Sequence, residues 1–213
     1  MLSRPTTVMT QIFVASSNRH KLAEFQAIAT HHNLVIKILP ELNGADAPPE
    51  TGSTFEENAL LKAKFYSSIT SPLHWVLADD SGLEVSALQN APGVRSARYA
   101  FDPATGADPS SDRQNNEKLL SELALFPSAN RSARFVCVIS AAQNGAARGV
   151  FRGELRGDIV LEARGSNGFG YDPLFLVPSL KKTLAELSAE EKLRVSHRGT
   201  AFRKFIQWFE ELN

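Results

Sequence analysis

Two adjacent carboxylates, Asp79 and Asp80, follow the apolar stretch WVLA and precede Ser81-Gly82. Acids at the end of an apolar strand are costly unless they are paired or hold a cation. Neighbouring side chains on a strand point to opposite faces, so one carboxylate is expected to meet a ligand while the other braces the loop. Oxygen donors suit Mg²⁺, which commonly takes one or two carboxylates together with substrate phosphates and keeps several waters. Glu50, Glu56 and Glu57 are the possible further ligands. An ordinary Asp-rich turn would have the same composition, but the preceding WVLA favours chemistry.

Three other segments carry candidate groups. Ser16-Ser17-Asn18-Arg19-His20-Lys21 joins a strand to a helix N-terminus with hydroxyls, an amide and a lysine, the setting in which free backbone N–H groups meet phosphate. Simple N-capping explains the same residues equally well. Gly168-Phe169-Gly170-Tyr171-Asp172-Pro173 combines glycines, two aromatics and an acid, which fits either a purine pocket or a tight turn entering LFLV. Lys192, Ser196, His197 and Arg198 gather cations and hydrogen-bonding groups at a break between helices, where they could reach phosphate or a purine carbonyl, or form a solvated helix end. Neither GxGxxG nor GxxxxGK[ST] occurs, which argues against a dinucleotide fold and a P-loop.

Composition narrows the classes. Lys plus Arg and Asp plus Glu balance at 23 each, so no broad basic surface for nucleic acid is expected. No apolar run is long enough to cross a bilayer, and the residues before Gln11 hold Arg4 but no apolar block beside a cleavage site, so a soluble cytoplasmic protein is expected. Cys137 is the single cysteine and lies in ARFVCVISAA, which marks it as a core side chain and excludes disulfides. The 213 residues fit one domain, with residues 1–10 read as a flexible extension.

The elements that must position these groups are set by periodicity. QIFVAS (11–16), a helix over 19–31 capped by Asn18, and LVIKIL (34–39) make an opening βαβ unit. After an irregular loop at 41–52, Ser53 or Thr54 caps a helix carrying ENALLKAKFYSSI, with Glu56 or Glu57 placed for a capping box. WVLADDSGLEV (75–85) reads as a strand that breaks at Asp79–Gly82 and resumes as LEV. The Pro-, Gly- and Asp-rich FDPATGADPSS (101–111) is a candidate lid before a helix capped by Asp112. Residues 133–143 and 149–160 form an antiparallel hairpin, Ser188 with Glu191 starts a short helix, and a last helix spans about 199–212.

VASSNRHKLAEF (14–25), ETGSTFEENALLKAK (50–64), LADDSGLEV with APGVRSARYA (77–100), GFGYDPLF (168–175) and EEKLRVSHRGTAF (190–202) together resemble the inosine triphosphate pyrophosphatase family, which acts on dITP, XTP and other deaminated purine nucleoside triphosphates. The resemblance implies an elongated α/β fold with a long mixed sheet flanked by helices, two lobes around a nucleotide cleft, and a homodimer. It places Ser16 to Lys21 at phosphate, Asp80 as metal-binding and catalytic carboxylate, Ser81 as a substrate contact and Glu50 as the further metal acid. Lys62 is directed at phosphates. Phe169 to Asp172 match the base-recognition turn, and Lys192, Ser196, His197 and Arg198 the C-terminal cluster. Where many members have Thr-Gly-Asn this chain has Ser16-Ser17-Asn18, and its 101–111 stretch is longer.

The reaction expected on this basis is Mg²⁺-dependent attack of water on the α-phosphorus, releasing pyrophosphate, with selectivity from donors aimed at the 6-oxo group. A pyrophosphatase for other modified nucleotides, a non-catalytic nucleotide-binding module and a nicotinamide or flavin enzyme are the alternatives.

Overall fold

The computed structural model describes residues 10–43, 46–101, 110–126 and 130–212. The expected N-terminal extension, apart from Thr10, and most of the candidate lid, residues 102–109, lie outside these. Seven strands form one mixed sheet in the order β2-β1-β3-β4-β5-β6-β7. They are β1 (Thr10–Val14), β2 (Leu34–Ile38), β3 (Trp75–Val85), β4 (Ser132–Gln143), β5 (Ala146–Ile159), β6 (Phe175–Val177) and β7 (Lys182–Thr183). β1 is parallel to both β2 and β3, and the remaining pairs are antiparallel.

The helices are α1 (Arg19–Ala29), α2 (Phe55–Ser68), α3 (Asp112–Ala124), α4 (Ala189–Val195) and α5 (His197–Glu211). Their starts are chemical. The Asn18 side chain accepts from the N–H groups of His20 and Lys21, and Thr54 forms a capping box with Glu57. Ser188 does the same with Glu191. Two expectations need correction. Ser111, not Asp112, caps α3, in a box with Gln114, and α5 begins at His197 because Ser196 accepts from the N–H of Gly199. A helix among the described residues that is long and apolar enough to cross a membrane is absent.

The expected break in the third strand is also corrected. β3 runs unbroken and pairs with β4 from Val76 opposite Ala142 to Val85 opposite Ala133. The acids need not leave the sheet, because each face supplies a partner: Lys21 bonds Asp79 at 2.7 Å and Asn58 bonds Asp80 at 3.0 Å. Gly82 lets the 93–98 turn pack directly on the strand, since a Cβ there would lie 2.3 Å from the Ser96 hydroxyl.

Apolar packing leaves a polar gap at the same place. One core gathers Leu77 with Phe25, Phe202, Phe205, Phe209 and the expected core residue Cys137. A second gathers Leu83 and Val85 with Leu119, Leu123, Phe135 and Phe175. Along β3, Asp79, Asp80 and Ser81 lie between Leu77 of the first core and Leu83 of the second, so the charged groups sit where the two apolar masses part.

Candidate active site

β1 pairs with β3 only as far as Leu77 among the described residues, after which β3 continues to Val85. The edge so exposed lies beyond the carboxyl end of β1, where open α/β sheets bind ligands. A cavity of about 250 Å³ opens here. It is bordered by the N-terminus of α1, by α2, by the 168–172 turn and by the start of α5.

At the α2 end, Lys62 stands between two acids, its Nζ 2.8 Å from Glu50 Oε1 and 3.9 Å from Asp80 Oδ1. Asn58, one helical turn before Lys62, accepts the Gly52 N–H and donates to Asp80 Oδ2, which fixes the carboxylate's orientation. Burial pushes the Asp80 carboxyl up and this prevails over the lowering effect of Lys62 and Asn58. Glu50 is also pushed up by burial, but Lys62 and Arg98 hold it below the usual carboxylate range. Burial pulls Lys62 down, yet Asp79, Asp80 and Glu50 together keep it above its ordinary value.

At the α1 end, Asn18 and Lys21 line the cavity, whereas Ser17 and Arg19 are exposed and do not. The Ser16 hydroxyl accepts from the Asn18 N–H, and His20 stacks on Phe169 with ring centres 5.1 Å apart. Capping by Asn18 already engages the N–H groups of His20 and Lys21, so this turn offers the Lys21 ammonium beside part of a helix terminus.

The far end carries a buried network. Lys192 Nζ donates to Asp172 at 2.5 Å and lies 3.5 Å from Glu24, which also receives Arg198 at 2.5 Å. Arg198 reaches the Ser81 hydroxyl at 3.3 Å. Over these groups lies the Phe169 ring, 4.7 Å from Lys192 Nζ and 5.4 Å from the Arg198 guanidinium carbon. His197 stacks on Phe135 at 4.8 Å, and its Nδ1 is buried without a partner. Burial, with Arg198, Lys192 and Lys21 nearby, holds its imidazole well below the ordinary histidine range and therefore neutral.

The turn itself is set by glycine. Gly168 has φ 78°, and a Cβ on it would lie 2.0 Å from Asp172 Oδ2, the atom that accepts the Phe169 N–H. Of its two aromatics Phe169 offers its ring to the cavity, while the buried Tyr171 donates its hydroxyl to the Ser96 carbonyl and braces the opposite wall. Ser196 is fully buried as the cap of α5 and does not line the cavity. Sequence reasoning missed Asn58, Glu24, Arg98, Ser96, Phe135 and Asp112. Asn58 alone had a local signal, its spacing from Lys62 on one helix face.

Lysines and acids at one end of a cleft and a stacked aromatic over buried cations at the other, all on one mixed α/β sheet, define an enzyme site for an anionic small molecule with a flat ring. The chain belongs to the Ham1 family, which it matches over residues 12–208. It is 50% identical over 197 residues to the dITP/XTP pyrophosphatase of Acidobacterium capsulatum, covering 92% of this chain and 96% of that one. It is 48% identical to the dITP/XTP pyrophosphatase of Exiguobacterium sibiricum, with 91% and 94% covered. The Ham1 protein of Staphylococcus aureus superposes with a TM-score of 0.82 at 41% identity, covering 96% of this chain and all, 100%, of that one. That of Coxiella burnetii gives 0.83 at 41%, with 95% and 100% covered. The kinship read from the five collinear motifs therefore holds.

Proposed function

We propose that this chain hydrolyses deaminated purine nucleoside triphosphates, ITP, dITP and XTP, to the monophosphate and pyrophosphate. The observation that carries the reading is the division of the cleft: Lys62 between Glu50 and Asp80 at one end, and Phe169 over Lys192 and Arg198 at the other. The triphosphate lies along Lys21 and Lys62, and the base lies against Phe169.

Mg²⁺ fits the first end. Glu50 and Asp80 are hard oxygen donors that already share one ammonium, and a group of three or more His, Cys, Asp or Glu side chains suited to a metal is absent among the described residues. Two protein carboxylates are what Mg²⁺ takes when substrate phosphates and waters complete its shell. Glu50 and Asp80 would hold the ion, which would supply charge neutralisation for the phosphates and Lewis-acid polarisation.

The chain's own groups supply the rest. Lys21 and Lys62 hold the phosphates and offset the charge that gathers on the leaving pyrophosphate. Asp80, desolvated and oriented by Asn58, draws a proton from the water that attacks the α-phosphorus. The bond from that phosphorus to the bridging oxygen breaks, and no covalent enzyme intermediate is needed. Arg198 and Lys192 are donors for a 6-oxo group, so the 6-amino group of adenine would leave polar groups unpaired, a mismatch able to cost several powers of ten. Neutral His197, which lines the same cavity as Asp172, is the group available to read the other edge of the ring. Ser81, hydrogen-bonded by Arg198, lies between the two ends.

Turnover with Mg²⁺ on ITP, XTP, GTP and ATP, scoring pyrophosphate separately from orthophosphate, tests this reading. Pyrophosphate from ITP and XTP alone, abolished by EDTA, is expected; orthophosphate or no turnover would reject it. The homodimer implied by the resemblance belongs to the same proposal, and sedimentation equilibrium measures it.

A further inference from the structure

Helix α3 grips Gly170 on both sides. The Gly170 N–H donates to Asp112 Oδ2 at 2.6 Å, and its carbonyl accepts from the Asn116 amide at 3.0 Å. Asp112 and Asn116 are one helical turn apart and share a face. Neither lies in the five motifs that carry the family resemblance. Ser111 and Gln114 already cap α3, so Asp112 is not needed for that purpose. A hydrogen bond to an ionised acceptor is about twice as strong as a neutral one.

Asn116 points the same way. Its Oδ1 is buried without a partner, a cost that an apolar residue would avoid. What the asparagine gains is its bond to Gly170. The neighbouring Asn115 binds the opposite wall, accepting from the Ala100 N–H and the Ser110 hydroxyl at 2.8 Å each and donating to the Ala97 carbonyl at 3.3 Å. The first turns of α3 thus join the 97–100 wall to the turn that carries Phe169.

We propose that Asp112 and Asn116 are positioning residues for base recognition, clamping Gly170 so that the Phe169 ring is presented to the purine. This role rests on the purine nucleotide reading of the same cleft. Because the clamp acts on the aromatic end, it should change affinity for the base and leave phosphate binding alone.

The test compares Asp112→Ala, Asp112→Asn and Asn116→Asp with the unaltered chain, after thermal melts show that each is folded. Binding of IMP reports the base, inhibition by inorganic pyrophosphate reports the phosphate end, and hydrogen exchange of the Gly170 amide reports the clamp directly. Asp112→Ala and Asn116→Asp are expected to weaken IMP binding about tenfold, the size of one lost hydrogen bond, with pyrophosphate inhibition unchanged. Asp112→Asn keeps an acceptor and is expected to recover most of the affinity. In the unaltered chain the Gly170 amide should exchange slowly, and in Asp112→Ala rapidly. Equal weakening of both ligands, no weakening of either, or a fast Gly170 amide in the unaltered chain would overturn the proposal. A protected Gly170 amide in a chain that neither binds IMP nor hydrolyses ITP would instead overturn the purine reading and, with it, the role in base recognition.

Discussion

Asp79 and Asp80 are consecutive on β3 yet serve opposite faces of the sheet: Asp79 receives Lys21 from α1 at 2.7 Å, and Asp80 receives Asn58 from α2 at 3.0 Å. One carboxylate is occupied in holding a lysine, and the other faces the cavity.

The two are expected to separate on substitution. Asp80→Asn keeps the shape and an acceptor for Asn58 but cannot take a proton, so turnover should fall about 10²–10⁴-fold while the melting temperature holds. Near-native turnover at saturating Mg²⁺ would remove Asp80 from the mechanism.

Asp79→Asn should act on stability. Its carboxylate side chain is 1% exposed, and removing the charge leaves the Lys21 ammonium without its counter-ion. Breaking a buried pair this way costs about 3 kcal/mol or more. Burial raises the Asp79 pKa, but Lys21, Arg198 and Lys62 outweigh it and hold the carboxyl below its usual value. That contribution is therefore complete above the unfolded pKa of about 3.9, and it is lost as pH falls through the lower folded value. Urea denaturation at pH 7 and at pH 3 reads both; a gap between the variant and the parent that is unchanged at low pH would contradict the assignment.

His197 should make stability fall with acid. Its folded pKa lies well below the ordinary value because of burial and the cations around it. Between that folded value and an unfolded value of about 6.5 the unfolded chain takes a proton that the native state refuses, so stability is lost by up to about 1.4 kcal/mol per pH unit as pH drops. His197→Phe, which can still stack on Phe135, removes this term. Its stability relative to the parent should rise from pH 7 to pH 5.5, and parallel curves would refute the point.

Gly153 lets the start of α5 pack directly against β5. A Cβ on it would lie 2.1 Å from the His197 carbonyl oxygen and 2.5 Å from the Ala201 nitrogen, both backbone atoms. Gly153→Ala is expected to cost about 1–3 kcal/mol and, by displacing His197 and Arg198, to raise KM more than it lowers kcat. Unchanged stability in guanidinium would show that β5 and α5 can part without penalty.

Much of the scaffold was legible because its causes are local. The caps at Asn18, Thr54 and Ser188 act over two or three residues, and the β4–β5 hairpin arises from strand composition on either side of a short connection. The third strand was misread for the converse reason. A polar ADDSG looks like chain leaving the core until Lys21 and Asn58 arrive from two different helices to satisfy it in place.

By itself the sequence determined which side chains were available: the carboxylates of β3, the lysines of α1 and α2, the glycines flanking Phe169, and the cations before and after Ser196. Tertiary structure alone decided which of them meet. Glu24 and Arg198 are 174 residues apart and Asn116 and Gly170 are 54, far beyond any helical or strand period. Such pairs are set by how α1, α3 and α5 pack around the sheet. Packing depends on the summed burial of apolar faces, which no short stretch of sequence encodes.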